Sequence, residues 1–254
     1  MIVSWRGTAL EVTGPDAVLE SVRRSLPPFY GSDGDPETTA EISEQNGIVT
    51  LHLDDGLGVA GPDGAEIHRA CASRLELVLV DRLPDLVAVH AGVVADAEGV
   101  LLFPGRSMVG KSTLTRALLD RGADYWSDEF ALLDADGLVH PYPRAMTLRT
   151  PTGSERHVPD SAVAVDAAPR PARLVAMLQY DEKGWETRDL TPGEATMGLI
   201  DNCVSVRRDP ARALTALTAL AETAKAIGGT RGDAAAAAEL LLTRHRRLTG
   251  DSSA

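Results

Sequence analysis

The chain has 254 residues, 24% of them charged and 44% apolar, and carries a formal net charge of −12. That size suits one large domain, or a domain with a small appendage. The acidic balance leaves no basic footprint for neutralising phosphates, so a nucleic-acid partner is not expected. The short run Arg244, Arg246 and Arg247 reads as a solvated helix end, favoured there by the helix dipole.

Cys71 and Cys203 match no zinc or redox spacing. Residues 1–14 are not patterned like a signal peptide, and no apolar run approaches membrane-spanning length. A cytoplasmic protein with two free thiols and no membrane partner is the expectation. With three Trp, four Tyr and three Phe, its core must rest on Leu, Val and Ala.

Residues 8–12 read as a strand and 15–26 as a helix, ended by Pro27-Pro28. Asn46-Gly47 lies between two strand-like runs and predicts a hairpin. Residues 54–64 read as turns, and 65–83 as a helix stopped by Pro84. Residues 86–95 and 100–103 read as buried strands joined by a turn, 111–121 as a helix closed by Gly122, and 125–133 as a strand. Residues 150–171 read as a surface excursion. Residues 174–180 look strand-like, with 185–190 as a partner strand. Helices are expected over 192–202, 210–227 and 233–248, and a disordered tail over 250–254. The order predicts an N-terminal α+β region over 1–84 and a nucleotide-binding core with C-terminal helices over 85–249.

Gly105-Arg106-Ser107-Met108-Val109-Gly110-Lys111-Ser112 fits G-x-x-x-x-G-K-[ST] at every fixed position. Glycines let the backbone turn its N–H groups toward phosphate oxygens. Lys111 supplies a point charge to the β- and γ-phosphates, and Ser112 offers a hydroxyl to Mg2+. The helix that follows aims its positive end at the same anion, and Thr113 belongs to the same nucleotide-binding run. A random chain of this length matches the pattern about once in a hundred. The required strand stands before the loop and a helix after it.

Phosphoryl transfer also needs a carboxylate for the metal and a group that activates the nucleophile. Asp128 and Glu129 interrupt an otherwise apolar run, where two acids are costly unless paired or metal-bound. Adjacent strand residues point to opposite faces, so one of the two should face the site more directly. His90 lies in the apolar run 86–94; read alone, it is more readily a core or edge histidine.

Residues 90–148 resemble the kinase core of HPr kinase/phosphorylase and its wider relatives. The shared features are His90-Ala-Gly-Val-Val94, the strand 100–103, the loop 105–112, Arg121-Gly122 and Asp128-Glu129. His140-Pro141-Tyr142-Pro143-Arg144 and Leu190-Thr-Pro-Gly-Glu-Ala195 extend the likeness to about residue 202. Phosphoenolpyruvate carboxykinases share this core more distantly. The resemblance implies an α/β fold with a mixed sheet. It places His90 near the γ-phosphate, makes Asp128 the acid that takes the acceptor's proton, and sets Glu129 nearer the metal. Arg144 and Arg149 are candidates for stabilising the transferring phosphate. HPr kinases are hexamers, so a homo-oligomer comes with the resemblance. The segment that follows the core in true HPr kinases has no counterpart here, so HPr is not the expected acceptor.

The expectation is therefore an ATP- and Mg2+-dependent kinase. Its catalytic residues would be Asp128, His90 and Lys111, and its acceptor a hydroxyl of a peptide, protein or small molecule. By resemblance the acceptor would be a Ser or Thr in peptide natural-product maturation. Residues 1–84 would recognise substrate, with the hairpin offering an edge for strand addition, or would cap the core. A nucleotide-binding accessory module without phosphotransfer is the alternative, and the intact acidic pair counts against it. A carboxykinase-like lyase is a third reading, disfavoured by the short chain and the lack of a second-metal Lys/His set.

Overall fold

The computed structural model describes residues 1–54, 56, 58–105, 110–150 and 153–250. The chain forms two compact units, Met1–Pro84 and Asp85–Ala254.

The first unit contains β1 (Ile2–Trp5), β2 (Thr8–Thr13), α1 (Asp16–Ser25), β3 (Thr38–Gln45), β4 (Ile48–Leu53), β5 (Val59–Pro62) and α2 (Ala65–Asp81). Its five strands form a sheet in chain order, antiparallel except for the β2–β3 pair. Asn46 and Gly47 take φ values of 52° and 73°, the left-handed pair that a two-residue hairpin matched to strand twist requires. Val3, Leu10, Val12, Ile42, Val49 and Leu51 are buried, as are Val18 and Val22 of α1 and Cys71, Leu75 and Leu79 of α2. His68 ties the two helices, with Nδ1 2.9 Å from Ser21 Oγ. Sequence reading missed β1 and β5, which are too short to show an apolar rhythm. Their presence corrects the expected role of the hairpin. β3 is flanked by β2 and β4, and β4 by β3 and β5, so the hairpin strands are interior and offer no edge.

The second unit runs β6 (Val87–Asp96), β7 (Gly99–Pro104), α3 (Lys111–Leu119), β8 (Asp124–Ser127), β9 (Phe130–Leu133), β10 (Val139–His140), β11 (Met146–Thr150), β12 (Gly153–His157), β13 (Ala172–Tyr180), β14 (Glu186–Leu190), α4 (Pro192–Ile200), α5 (Pro210–Thr223), β15 (Lys225–Arg231) and α6 (Ala234–Gly250). A mixed eight-stranded sheet has the order β10-β9-β6-β7-β13-β15-β14, with β8 also paired to β6; β11 and β12 form a separate hairpin. Alternate residues along β6 and β7 feed two cores. Val87, Val89, Ala91, Val93 and Leu102 pack with α4 and α5 on one face. Val94, Leu101 and Phe103 pack with α3 and α6 on the other. The unit is thus a three-layer α/β sandwich. Among the described residues no helix is long and apolar enough to cross a membrane.

Four expectations change. The helix expected over 210–227 ends early: α5 stops at Thr223, and 225–227 open β15, which lies between β13 and β14 with its backbone groups paired on both sides. The strand at 186–190 consequently pairs with β15 rather than β13. The excursion over 150–171 holds β12, paired with β11. The strand expected over 125–133 is broken at Asp128-Glu129. Gly250 closes α6, and the rest of the expected tail, 251–254, lies outside the described residues.

His245 is buried on α6, with Nδ1 3.4 Å from Asp96 Oδ1. Burial lowers its pKa below the ordinary 6.5, and Asp96 and Glu98 only partly oppose this. The neutral ring therefore contributes stability above pH 6.5, which is lost as the pH falls toward the lower folded value. The variant His245→Leu should show a flatter urea midpoint than the parent between pH 7 and 5. Gly92 is constrained sterically, because a Cβ there would meet the buried Phe103 ring at 1.9 Å. Gly92→Ala should cost about 1–3 kcal/mol in chemical denaturation through overpacking.

Candidate nucleotide and phosphotransfer site

β7 and β8 are both antiparallel to β6, and β13 and β15 run parallel to β7. The C-terminal ends of four like-directed strands therefore line one edge of the sheet, where open α/β sheets bind their ligands. They bring together Ser127 leading to the acids, Pro104 leading to Gly105, Tyr180, and Arg231. The N-terminus of α3 opens on the same edge.

The acidic pair sits in a break held in register. Val93 pairs Ser127 and His90 pairs Phe130, while Ala91 N–H donates to Glu129 O at 3.1 Å. Asp128 therefore stands opposite Gly92. The break has a local cause. Ser127 Oγ accepts the N–H groups of Glu129 and Phe130 at 3.2 and 3.1 Å, drawing the backbone out of regular strand geometry.

The two carboxylates meet different neighbours. Asp128 Oδ2 accepts the Ser112 hydroxyl at 3.0 Å, and Oδ1 accepts the Tyr125 hydroxyl at 3.0 Å. Tyr125 Oη also lies 2.9 Å from Arg144 O, as donor. Glu129 Oε1 instead approaches His90 Nδ1 at 3.4 Å. The His90 ring in turn lies beside Phe130, with centroids 5.0 Å apart. Burial raises the carboxyl of Asp128, an effect that Arg144 opposes and the charge on Glu129 adds to. Burial also raises that of Glu129, but His90, Arg144 and Lys111 together bring it below the ordinary range. Tyr125 is held well above its usual value, by burial first and by Asp128 second.

Lys111, the first residue of α3, is buried, and its Nζ donates to Gly105 O at 2.8 Å. Burial lowers its pKa, with Glu129 and Asp128 opposing. Gly110 stands at the N-cap with φ 84°, a conformation glycine adopts without steric penalty, and as a glycine it offers no side-chain cap. α4, by contrast, begins with a capping box at Thr191 and Glu194. The first turn of α3 contains no acid to compete for the positive end of the helix.

His90, Lys111, Ser112, Asp128, Glu129 and Arg144 thus gather at one edge, while Thr113 is exposed on α3. Arg106, Ser107, Met108 and Val109 lie outside the described residues, as does the side chain of Arg149. Sequence reading missed Tyr125 as a partner of Asp128, although its spacing of three from the acid was a usable signal. It also missed Arg231, whose Nη2 donates to Gly110 O at 3.3 Å. Arg231 follows a long separation in sequence, and no local pattern marks it.

Among the described residues no three His, Cys, Asp or Glu side chains cluster as a metal cage. A magnesium ion bound with a nucleotide needs no such cage, since phosphates and water supply most of its oxygens. Ser112 and Asp128 fit the remaining positions. In comparison with known proteins, the chain matches no family model, and no curated protein aligns with it significantly.

Tyr125→Phe should remove the buried hydroxyl that lies 3.0 Å from Asp128 Oδ1 and 2.9 Å from Arg144 O. A loss of about 1–3 kcal/mol in unfolding free energy is expected, read from denaturant titration.

Proposed function

We propose that the protein is an HPr-kinase-like P-loop kinase that moves the γ-phosphoryl group of ATP to a hydroxyl acceptor. The Ser112–Asp128 hydrogen bond carries this reading. It joins the helix-start hydroxyl of the G-x-x-x-x-G-K-S pattern to a carboxylate just after β8, a strand directed like β7, and such a pair holds magnesium in phosphate-loop nucleoside triphosphatases.

In this reading Lys111 leaves the Gly105 carbonyl for the β- and γ-phosphates, and the N-terminus of α3 receives the same charge. Ser112 and Asp128 would hold Mg2+, which would supply neutralisation of charge at the phosphates. We assign the two acids in the reverse of the sequence expectation, on the support of their neighbours. Asp128, bonded to Ser112, takes the metal side. Glu129, ionised and set beside His90, takes the proton of the acceptor hydroxyl. The acceptor oxygen then forms its bond to γ-phosphorus as the bond to the β-phosphate oxygen breaks, and ADP leaves. Arg144 sits close enough to lower both carboxyls and would offset charge on the transferring group.

The test is incubation with γ-labelled ATP, Mg2+ and a library of Ser- and Thr-containing peptides. Label should appear on a peptide hydroxyl. Glu129→Gln should lower turnover by about 10²–10⁴-fold while ATP binding is retained. Asp128→Asn should raise the Mg2+ concentration needed for half-maximal rate. ATP binding by the parent protein with no transfer to any acceptor would favour the accessory-module reading instead.

A further inference from the structure

The acids and the phosphate loop account for one half of the sheet edge. The other half, at the ends of β13 and β15, carries an arrangement that phosphate chemistry does not use. Tyr180 ends β13 and Arg231 ends β15, and the two are register partners. Ala176 and Leu178 on one strand and Ile227 on the other pack toward α3 and α6. By strand alternation Tyr180 and Arg231 stand on that same face, the one on which α3 begins.

Arg231 is buried. Its guanidinium donates to Gly110 O at 3.3 Å and to Gly232 O at 3.1 Å, and its Cζ lies 5.8 Å from the centroid of the Tyr180 ring. Tyr180 is 61% exposed, a large ring at a strand end with one side set against a cation and the rest open. A single guanidinium thus connects the last glycine of the phosphate loop to an exposed aromatic surface. The sheet order is β8-β6-β7-β13-β15. A nucleotide with its reacting end toward Asp128 and Glu129, on the β8 side of the loop, would have the β13 and β15 side for its other end.

We propose that Tyr180 and Arg231 form the nucleobase platform of the site. The base stacks on the open side of the Tyr180 ring, and Arg231 holds that ring in place from the loop. Stacking of this kind tolerates any base, because every base has a π-face. This assignment rests on the nucleotide-binding reading above.

Binding of ATP and of inorganic tripolyphosphate, each with Mg2+, measured by titration calorimetry separates the two. The parent protein should bind both. Tyr180→Ala should weaken ATP by about tenfold or more and leave tripolyphosphate unchanged, while Tyr180→Trp keeps ATP binding. Lys111→Ala should weaken both ligands. Tyr180→Ala with unaltered ATP affinity, or with equal losses for both ligands, overturns the platform while the phosphate site stands. A parent protein that binds neither ligand overturns the nucleotide reading and the platform with it.

Discussion

Two carboxylates held in a break between two apolar strands set the terms for the whole second unit. Asp128 and Glu129 lie between β8 and β9, flanked by Trp126 and Phe130, both buried. Desolvating such groups without partners would cost several kcal/mol each. The fold supplies the partners from four separate places: Ser112 and Lys111 from α3, Tyr125 from β8, His90 from β6, and Arg144 from the segment before β11. Ser127 then absorbs the backbone groups that the break releases. Gly92 leaves room for the Phe103 ring at the register position opposite Asp128, which lets β6 and β7 close beneath the acids.

The same constraint separates the two acids chemically. They are adjacent in sequence, yet burial prevails at Asp128 and raises its carboxyl, while at Glu129 the His90 contact, Arg144 and Lys111 together outweigh burial and lower it. Environments that push two titratable groups apart are a usual sign of divided labour. Lys111 is the shared counter-charge. Its Nζ is bound to Gly105 O, and both acids favour its charged form against the cost of burial.

The edge of the sheet is therefore asymmetric. Acids and histidine stand at the β8 and β6 end, glycine and lysine at the centre, and an aromatic with its arginine at the β13 and β15 end. The order follows from strand topology, since β6 runs against β7 and β8, and β13 and β15 run with β7. The first unit, with both hairpin strands interior and a helix pair tied through His68, is a self-contained sheet-and-helix layer.

By itself the sequence determined the elements whose signals are local. The Gly105–Ser112 pattern, the strand before it, α3, the Asn46-Gly47 hairpin and the boundaries at Pro84 and Gly122 all come from residue types acting over a few positions. It also marked Asp128 and Glu129, because acids in an apolar run stand out without any knowledge of their partners. Only the tertiary structure decided which partner each acid takes, since Ser112 comes from α3 and His90 from β6, contacts that no short window contains. It likewise ended the helix expected over 210–227 at Thr223 and put 225–227 into β15, because there β13 and β14 pair the backbone on both sides. That one exchange brought Arg231 beside Gly110 and Tyr180, a meeting of residues far apart in the chain that depends on parallel pairing alone.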